Sequence, residues 1–269
     1  MALVGAVVKL GGDVLGAPAL GVAAASIARA RAAGRRLVVV HGGGPQTTEM
    51  ARRLGIEPRL VGGRRITDQP TLEVLKMVVA GQLNVDLVAA LRAAGAPAVG
   101  LSGSGGLVRA HRRPPRAVSG SGGAAVDFGL VGDVDGFDLA LLELLHGAGH
   151  LPVVACLGAG PDGQVLNINA DVVASQLAGA IGAGALVACT AVGGVRRDKD
   201  DPATLLRRLT VAEAREAIRS GAVQGGMIPK LEEAFASLGA GVGAVHIVAP
   251  AEIDAALAAP GSVGTLLLP

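Results

Sequence analysis

Lysine is scarce in this chain, and two lysines occupy positions that suit chemistry on an anion. The 24 basic residues include only four lysines, so the choice of lysine over arginine is informative. Lys9 interrupts an apolar run just before Gly11-Gly12, and Lys230 follows Gly225-Gly226 where a helix is expected to begin. A cation at a helix N-terminus opposes the helix dipole, so a bound anion would explain it. A compact ammonium group suits a phosphoryl oxygen, whereas the alternative for each lysine is a solvated surface position.

Three glycine-rich turns follow predicted strands and could present backbone N–H groups to a ligand. They are Gly11-Gly12, Gly42-Gly43-Gly44 and Gly193-Gly194. Glycine lets the backbone approach a ligand closely, and a helix that begins after such a turn adds a positive dipole end. Three such turns together indicate a polyanionic ligand, although any one of them could be an ordinary turn in a chain with 42 glycines.

Two further segments carry polar side chains suited to a carboxylate. In Asn167-Ile168-Asn169-Ala170-Asp171, three polar residues in five exceed what one helix cap needs. Asp171 could hold ammonium groups, and Asn167 could donate to a substrate carboxylate. Arg64-Arg65 follows a glycine pair and could grip a carboxylate with two hydrogen bonds, with one of the two arginines expected to be plain surface charge.

Other polar residues are assigned structural roles. His41 ends a predicted buried strand beside the triple glycine and is expected to be a structural hydrogen-bonding group rather than a base. The basic segment 111–116 is expected to be a solvated hairpin tip. Cys156 and Cys189 lie in apolar runs, fit no zinc site and are expected to be buried.

Several function classes are excluded by composition. Only three aromatic residues are present and the net charge is +2, which argues against base stacking and against nucleic-acid or membrane-surface binding. Gly158-Ala159-Gly160-Pro161-Asp162-Gly163 matches a dinucleotide fingerprint, but Pro161-Asp162 predicts a turn and an extended segment follows instead of a helix. No P-loop motif occurs. We find no signal peptide and no charge-free apolar run long enough for a membrane span, which predicts a cytoplasmic protein.

Short apolar runs alternate with helical segments, which predicts an α/β fold with a mainly parallel sheet covered on both faces. Strands are expected at 2–10, 37–41, 98–101, 151–157, 185–190, 244–249 and 265–268. Helices are expected at 17–33, 45–54, 71–94, 170–181, 211–220, 227–238 and 251–258. The Gly-, Pro- and Arg-rich stretch 107–138 predicts β-hairpins that stand off the sheet, and 163–167 predicts a second hairpin. A soft boundary near residue 175 divides the chain into halves 1–174 and 175–269.

The ordered set of motifs resembles the amino-acid kinase superfamily, and within it the acetylglutamate kinase branch. Each motif is weak alone, but their order and spacing are specific and cover nearly the whole chain. They are Val7-Val8-Lys9-Leu10-Gly11-Gly12, Val40-His41-Gly42-Gly43-Gly44, Gly63-Arg64-Arg65-Ile66-Thr67, Gly81-Gln82-Leu83-Asn84, Gly100-Leu101-Ser102-Gly103, Asn167-Ile168-Asn169-Ala170-Asp171 and Gly225-Gly226-Met227-Ile228-Pro229-Lys230.

The resemblance implies an αβα sandwich with β-hairpin lids and transfer of a phosphoryl group from ATP to the side-chain carboxylate of N-acetyl-L-glutamate. Acetylglutamate would bind the N-terminal half and the nucleotide the C-terminal half, with Mg²⁺ held mainly by the nucleotide phosphates and no metal ligands assigned. The residue roles implied are as follows: Lys9 and Lys230 stabilise the transferring group, Asp171 orients both, Gly43, Gly44, Arg65 and Asn167 bind acetylglutamate, and Gly11, Gly12, Thr190, Gly194 and Gly226 border ATP.

The sequence also departs from the branch in places. An acidic residue is usual where Ala191 stands, Val85 replaces a usual Lys, and Ser104-Gly105 replaces the Lys-Asp of one group. The first strand begins near residue 2 without the N-terminal helix of arginine-inhibited relatives, so we expect a homodimer without arginine feedback. Two alternatives stay open. One is a kinase that acts on carrier-linked aminoadipate or glutamate, whose acidic carrier could dock on the basic segment 112–116. The other is a catalytically silent sensor.

Overall fold

An open eight-stranded sheet forms the centre of the computed structural model, which describes residues 5–118, 122–198 and 200–269. The strands in chain order are β1 Ala6–Leu10, β2 Leu37–His41, β3 Leu60–Val61, β4 Arg64–Arg65, β5 Ala98–Ser102, β6 Val108–Arg112, β7 Arg116–Ala117, β8 Ala125–Val126, β9 Gly132–Phe137, β10 Leu151–Ala155, β11 Leu157–Ala159, β12 Val165–Asn167, β13 Ala185–Cys189, β14 Arg208–Thr210, β15 Ala244–Val248 and β16 Thr265–Leu268. The large sheet has the order β14-β16-β15-β13-β1-β2-β10-β5.

Every pairing in this sheet is parallel except that of β15 with β16. The central strands β1 and β2 are buried along their whole length. Strands that are covered on both faces read as continuous apolar runs, and this explains why the sequence alone indicates a parallel sheet. The predicted mainly parallel fold is confirmed. The predicted residues 2–4 of the first strand lie outside the described residues.

Helices cover both faces of the sheet. They are α1 Ala19–Ala32, α2 Gly44–Arg53, α3 Gln69–Leu75, α4 Asn84–Ala93, α5 Leu139–Gly147, α6 Ala170–Ala180, α7 Val211–Arg219, α8 Met227–Gly239 and α9 Ile253–Ala258. Val173 of α6 and Leu231 of α8 belong to the core on one face. Ile27 of α1, Leu87 of α4 and Ile253 of α9 belong to the core on the other face. The three layers form the predicted sandwich.

Helices α3 and α4 are continuous through a π-helical segment, Lys76–Leu83, and form one helix, Gln69–Ala93. Asp68 caps it by accepting a hydrogen bond from the N–H of Thr71. Among the described residues this is the one helix long and apolar enough to cross a membrane, and 44% of its most apolar window is buried inside the molecule. Val74, Val78 and Leu87 pack into the core, which accounts for the apolar composition.

A second sheet of four strands, β12-β11-β6-β9, stands beside the ends of the large sheet. Strands β6 and β9 form the expected hairpin within 107–138, and β11 with β12 forms the second expected hairpin. The predicted strand 151–157 divides at Cys156, because β10 stays in the large sheet while β11 enters the small one. The turn at 160–163 is followed by a strand, so the fingerprint-like segment lacks the helix that a dinucleotide site requires.

Strand β14, the hairpin β3–β4 and helix α5 are absent from the sequence prediction. Strand β14 has only three residues, two of them polar, and it pairs with β16 at one end of the sheet. The hairpin β3–β4 has two residues in each strand, too few for a periodicity signal. Helix α5 follows directly on the glycine-rich hairpin segment, and Asp138 caps it. The predicted boundary between residues 174 and 175 falls inside α6 and stays a prediction.

Candidate active site

A cleft of about 330 Å³ opens at the carboxyl ends of the central strands, where ligands bind in open parallel sheets. Neighbouring strands β1, β2 and β10 lead into this edge, so segments distant in sequence meet there. The predicted site residues that line the cleft are Lys9, Gly11, Gly12, Gly43, Gly44, Arg65, Asn167 and Asp171.

Lys9 and Asp171 form the ion pair at the floor of the cleft. Lys9 lies in β1 between Val40 and Ala188 of the neighbouring strands and is 7% exposed. Its Nζ lies 2.8 Å from Oδ1 of Asp171. Asp171 stands in the first turn of α6, where Asn169 caps the helix by accepting the N–H of Asp171 at 2.7 Å. The cap and the buried strand together hold the carboxylate and the ammonium group in fixed positions.

The two glycine turns on β1 and β2 are tied to each other through Gln46. Its Nε2 donates to the carbonyl oxygen of Gly12 at 2.7 Å, and its Oε1 is buried without a partner among the described residues. A Cβ on Gly12 would lie 2.6 Å from Cδ of Pro45, so only glycine fits between the two turns. The N–H of Gly11 donates to the carbonyl oxygen of Cys189 at 3.4 Å, so a phosphate contact by Gly11 would need this hydrogen bond to open.

Arg65 reaches the cleft from the hairpin β3–β4 with one side of its guanidinium group already bound. Its Nη2 donates to the carbonyl oxygen of Gly44 at 3.0 Å and to Oγ1 of Thr48 at 2.6 Å. Its Nη1 is buried and has no acceptor in the part of the chain that the structure describes. Burial lowers the pKa of Arg65, yet an arginine stays charged at any physiological pH. A buried, charged donor without an acceptor fits a site for an anion.

Asn167 ends β12 at the cleft wall. Its Nδ2 donates to Oγ1 of Thr67 at 3.0 Å, and its backbone N–H donates to the carbonyl oxygen of Leu130. The side-chain amide has two hydrogens, so one remains for a ligand after the bond to Thr67.

Lys230 and Thr190 lie at a second, much smaller cavity of about 20 Å³ that also touches Lys9 and Asp171. Lys230 belongs to the first turn of α8 and comes from the opposite half of the chain to Lys9. The described residues contain no ion pair between Lys230 and a carboxylate, so Asp171 holds Lys9 but not Lys230 in this structure.

Gly194 and Gly226 line neither cavity. Gly194 has a φ of 153°, a backbone conformation that residues with a side chain rarely adopt, so the turn itself favours glycine there. Gly226 is exposed at the start of α8, with open space around its Cα. Their contact with a nucleotide stays a prediction.

A sequence profile described as the amino acid kinase family matches residues 5–249. The chain belongs to the amino acid kinase family.

Relatives of this amino acid kinase include proteins of nearly equal length. The chain is 54% identical to the acetylglutamate kinase of Sorangium cellulosum, over 98% of this chain and 94% of that protein. It is 51% identical to the acetylglutamate kinase of Anaeromyxobacter dehalogenans, over 97% and 98% of the two chains. A structure of N-acetylglutamate synthase from Neisseria gonorrhoeae, complexed with coenzyme A and N-acetyl-glutamate, superposes with a TM-score of 0.81 at 25% identity. This match covers all of this chain and 60% of that chain.

Carbamate kinase from Giardia lamblia bound to AMP-PNP superposes on this amino acid kinase with a TM-score of 0.69 at 17% identity. The match covers 98% of this chain and 97% of that chain. Identity this low shows the shared fold alone.

Several charged residues that line the cleft of this amino acid kinase were not assigned to the site from the sequence, among them Arg113, Arg116 and Glu233. Arg113 was expected in a solvated loop, but it is 6% exposed, lines the cleft and pairs with Asp133 at 2.6 Å. That expectation was wrong, because Asp133 comes from the partner strand β9 and only hairpin pairing brings it beside Arg113. Glu233 of α8 borders both cavities, and burial, together with the nearby charge of Asp171, raises its pKa.

Both cysteines and His41 have the expected structural surroundings. Burial raises the pKa of Cys156 and of Cys189 to about 12, so neither thiol is a nucleophile at neutral pH. His41 is fully buried, and both of its ring nitrogens lie within hydrogen-bond distance of protein atoms.

Proposed function

We propose that this protein is an acetylglutamate kinase, which transfers the γ-phosphoryl group of ATP to the side-chain carboxylate of N-acetyl-L-glutamate and releases ADP. The observation that carries the proposal is the Lys9–Asp171 pair on the floor of a cleft whose wall holds the open Nη1 of Arg65. The identity of 54% with a full-length acetylglutamate kinase supports this substrate over the other amino acid kinases.

The chain's cations perform the chemistry in this proposal by cancelling charge. The donor and the acceptor are both anions, so their approach is opposed by repulsion, and phosphoryl transfer depends mostly on positioning and charge stabilisation. Lys9 from β1 and Lys230 from α8 would contact the transferring group from opposite sides. Asp171 would hold Lys9 in place. Arg65 and Asn167 would bind the α-carboxylate, with Gly43 and Gly44 offering N–H groups nearby.

A general base is unnecessary for this reaction. The acceptor is a carboxylate, which is already ionised at neutral pH. The remaining ionisable groups in the cleft need only balance charge. His41 is buried with both nitrogens occupied, which agrees with a reaction that takes no proton from its nucleophile.

Nucleotide and metal would be bound together. In this proposal ATP lies toward Thr190 and the 190–194 turn, with Gly12 at its phosphates. Among the described residues no group of three or more His, Cys, Asp or Glu side chains converges on a metal site. We therefore propose that Mg²⁺ is held mainly by the nucleotide phosphates and supplies additional charge neutralisation there.

The experiment is a coupled assay of ADP release with MgATP and N-acetyl-L-glutamate, repeated with hydroxylamine to trap an acyl phosphate as its hydroxamate. ADP release that depends on acetylglutamate and yields one hydroxamate per ADP supports the proposal. Equal ADP release with and without the acceptor, or ADP release that yields no hydroxamate, contradicts the proposal. The absence of any ADP release favours the silent-sensor alternative.

Acetylaminoadipate in place of acetylglutamate tests the rival substrate class. The exposed Arg116 lines the cleft from the basic hairpin and would contact the acidic carrier in that rival. A higher kcat/KM for the longer substrate would favour the rival. The proposed enzyme prefers free acetylglutamate and acts in the cytoplasm as a homodimer.

A further inference from the structure

The three carbonyl oxygens of the Gly42–44 loop all accept hydrogen bonds from the protein. Oxygen of Gly43 accepts from the N–H and Oγ1 of Thr47, at 2.9 and 2.8 Å. Oxygen of Gly44 accepts from Nη2 of Arg65 at 3.0 Å. Oxygen of Gly42 lies 3.0 Å from Nδ1 of His41. Because a planar trans peptide points its C=O and the next N–H in opposite directions, the bonds to Gly42 and Gly43 fix the directions of the N–H groups of Gly43 and Gly44. Gly44 is followed by Pro45, which has no N–H.

His41 therefore sets the direction of the N–H of Gly43, provided that its Nδ1 carries the proton. The amide of Asn84 decides this. Nδ2 of Asn84 lies 2.9 Å from Nε2 of His41 and 3.1 Å from the carbonyl oxygen of Val153. A carbonyl oxygen can only accept, so this Asn84 atom is the NH₂ group, and it donates one hydrogen to each neighbour. Nε2 of His41 accepts, which leaves the proton on Nδ1, where it is donated to Gly42.

The position of Asn84 is set by the long helix on which it lies and by its contact with β5. It directly follows the π-helical segment Lys76–Leu83, whose Leu83 and Val79 press on Gly43: a Cβ there would lie 2.4 Å from Cδ1 of Leu83 and 3.1 Å from Cγ2 of Val79. Its Oδ1 occupies the space above Gly100 in β5, where a Cβ would lie only 2.1 Å away. The long helix thus contacts the glycine loop through packing and through the Asn84–His41 hydrogen bond.

We propose that His41 is a positioning residue, held as the Nδ1–H tautomer by Asn84, which turns the N–H of Gly43 toward the anion in the cleft. This rests on the proposed phosphoryl transfer. Burial also lowers the pKa of His41 to about 4, so the ring is neutral throughout the physiological range and its tautomer is constant.

Two separate substitutions, His41→Asn and His41→Gln, distinguish the role of Nδ1 from the role of Nε2. Asparagine can place an NH₂ near the position of Nδ1, whereas glutamine reaches toward the position of Nε2 and loses the donor to Gly42. We expect His41→Gln to lower kcat about 10²-fold, as expected for a small misplacement of a reacting group, with KM for acetylglutamate little changed. His41→Asn should retain a kcat much closer to that of the wild type.

His146 offers a matched control, because it is also buried and lies between two carbonyl oxygens, those of Leu142 and Leu37, away from the cleft. His146→Gln should lower the Tm without lowering kcat. If His41→Gln lowers kcat no more than His146→Gln does, or if His41→Asn is as slow as His41→Gln, the positioning role is wrong.

The tautomer is measured independently of activity on the ¹⁵N-histidine-labelled wild-type protein. The ¹⁵N shifts should show protonated Nδ1 and unprotonated Nε2 for His41 from pH 6 to pH 8, a window chosen around the ordinary histidine pKa of about 6.5. A proton on Nε2 overturns the inference. If the wild type lacks kinase activity while the tautomer is as expected, the proposed function fails and the hydrogen-bond arrangement stands.

Discussion

Two basic residues in the cleft, Lys9 and Arg65, have surroundings that are typical of an anion site. Lys9 is almost fully buried, and its ammonium group lies 2.8 Å from Asp171. Burial disfavours a charged group that has no partner, so Asp171 stabilises the charge of Lys9. Arg65 keeps one guanidinium nitrogen free of protein acceptors among the described residues. Both arrangements are expected where an anionic ligand completes the charge balance.

Lys9→Met tests the first of these residues. Because a preorganised cation at the transferring group stabilises the transition state, we expect kcat to fall roughly 10²- to 10³-fold, measured by ADP release at saturating substrates. Lys76→Met is the matched control, since Lys76 lies on the long helix and does not line the cleft. An unaltered rate for Lys9→Met would falsify the role of Lys9.

Arg65→Gln tests the binding of the α-carboxylate. Loss of a charged hydrogen bond costs about 1.5–3 kcal/mol, so KM for acetylglutamate should rise roughly 10- to 100-fold with a smaller effect on kcat. Arg59→Gln, in the exposed pair with Asp68 just before the same hairpin, should change neither parameter. Equal effects of the two substitutions would assign Arg65 to general surface charge.

At the scale of elements, the two ends of the chain are joined by a polar cluster between α1 and α9. Asp254 of α9 accepts hydrogen bonds from Oγ of Ser26 and from the guanidinium group of Arg29, both on α1. The hydrogen bonds from Arg29 lower the pKa of Asp254 to about 2. The contact lies on the face of the sheet that carries α1 and α9, so it links two helices that are more than 200 residues apart in the sequence.

Asp254→Asn should remove a pH-dependent part of the stability. A carboxyl group whose folded-state pKa is depressed stabilises the fold above its unfolded pKa of about 4, and this contribution disappears as the pH falls toward 2. We therefore expect Asp254→Asn to have a lower Tm than the wild type at pH 6, with the difference shrinking as the pH is lowered from 4. Salt should weaken the effect, since Arg29 is 55% exposed. Asp86→Asn, on the exposed face of α4, is the control, and a Tm difference independent of pH would contradict this origin.

Helices and strands were predicted correctly where the apolar residues followed one clear period or formed one continuous run. The strands of the sheet centre are apolar on both faces, and the helices beside them keep a helical period. Strand β14 and the hairpin β3–β4 were missed because two or three residues give no measurable period. The extended structure of β14 also depends on pairing with β16, which is distant in sequence, whereas β3 and β4 pair only with each other. The short hairpin matters most, since it carries Arg65 into the cleft.

At the scale of the whole molecule, cations from distant parts of the sequence lie on two neighbouring cavities. Lys9 and Arg65 line the cleft, whereas Lys230 lines the smaller cavity, which Lys9 also touches. Large apolar side chains also remain at the surface of the long helix. Met77 is 55% exposed and Val85 is 63% exposed. A second copy of the chain would cover such a surface, in line with the proposed homodimer.

Sedimentation equilibrium measures the assembly directly. We expect twice the mass of one chain, and Val85→Glu should shift the protein toward the monomer because it places a charge in an apolar contact. Leu144→Glu, at a side chain that is 69% exposed on α5, is the matched control and should leave the mass unchanged. A hexamer, or a wild-type monomer at micromolar concentration, would contradict the dimer.

The fold class could be predicted from the sequence, and so could the meeting of Lys9, the triple glycine and Asp171. Strands β1 and β2 end in or beside glycines, α6 begins with a capping residue, and parallel strands bring their carboxyl ends to one edge of the sheet. Lys9, the triple glycine and Asp171 follow from that rule alone. The burial of Arg113, the position of Glu233 beside the cleft and the 3.0 Å distance between Nδ1 of His41 and the carbonyl oxygen of Gly42 are seen only in the folded protein. Each of these depends on a partner far along the chain, and no local pattern records which distant residue supplies the other half of a hydrogen bond or an ion pair.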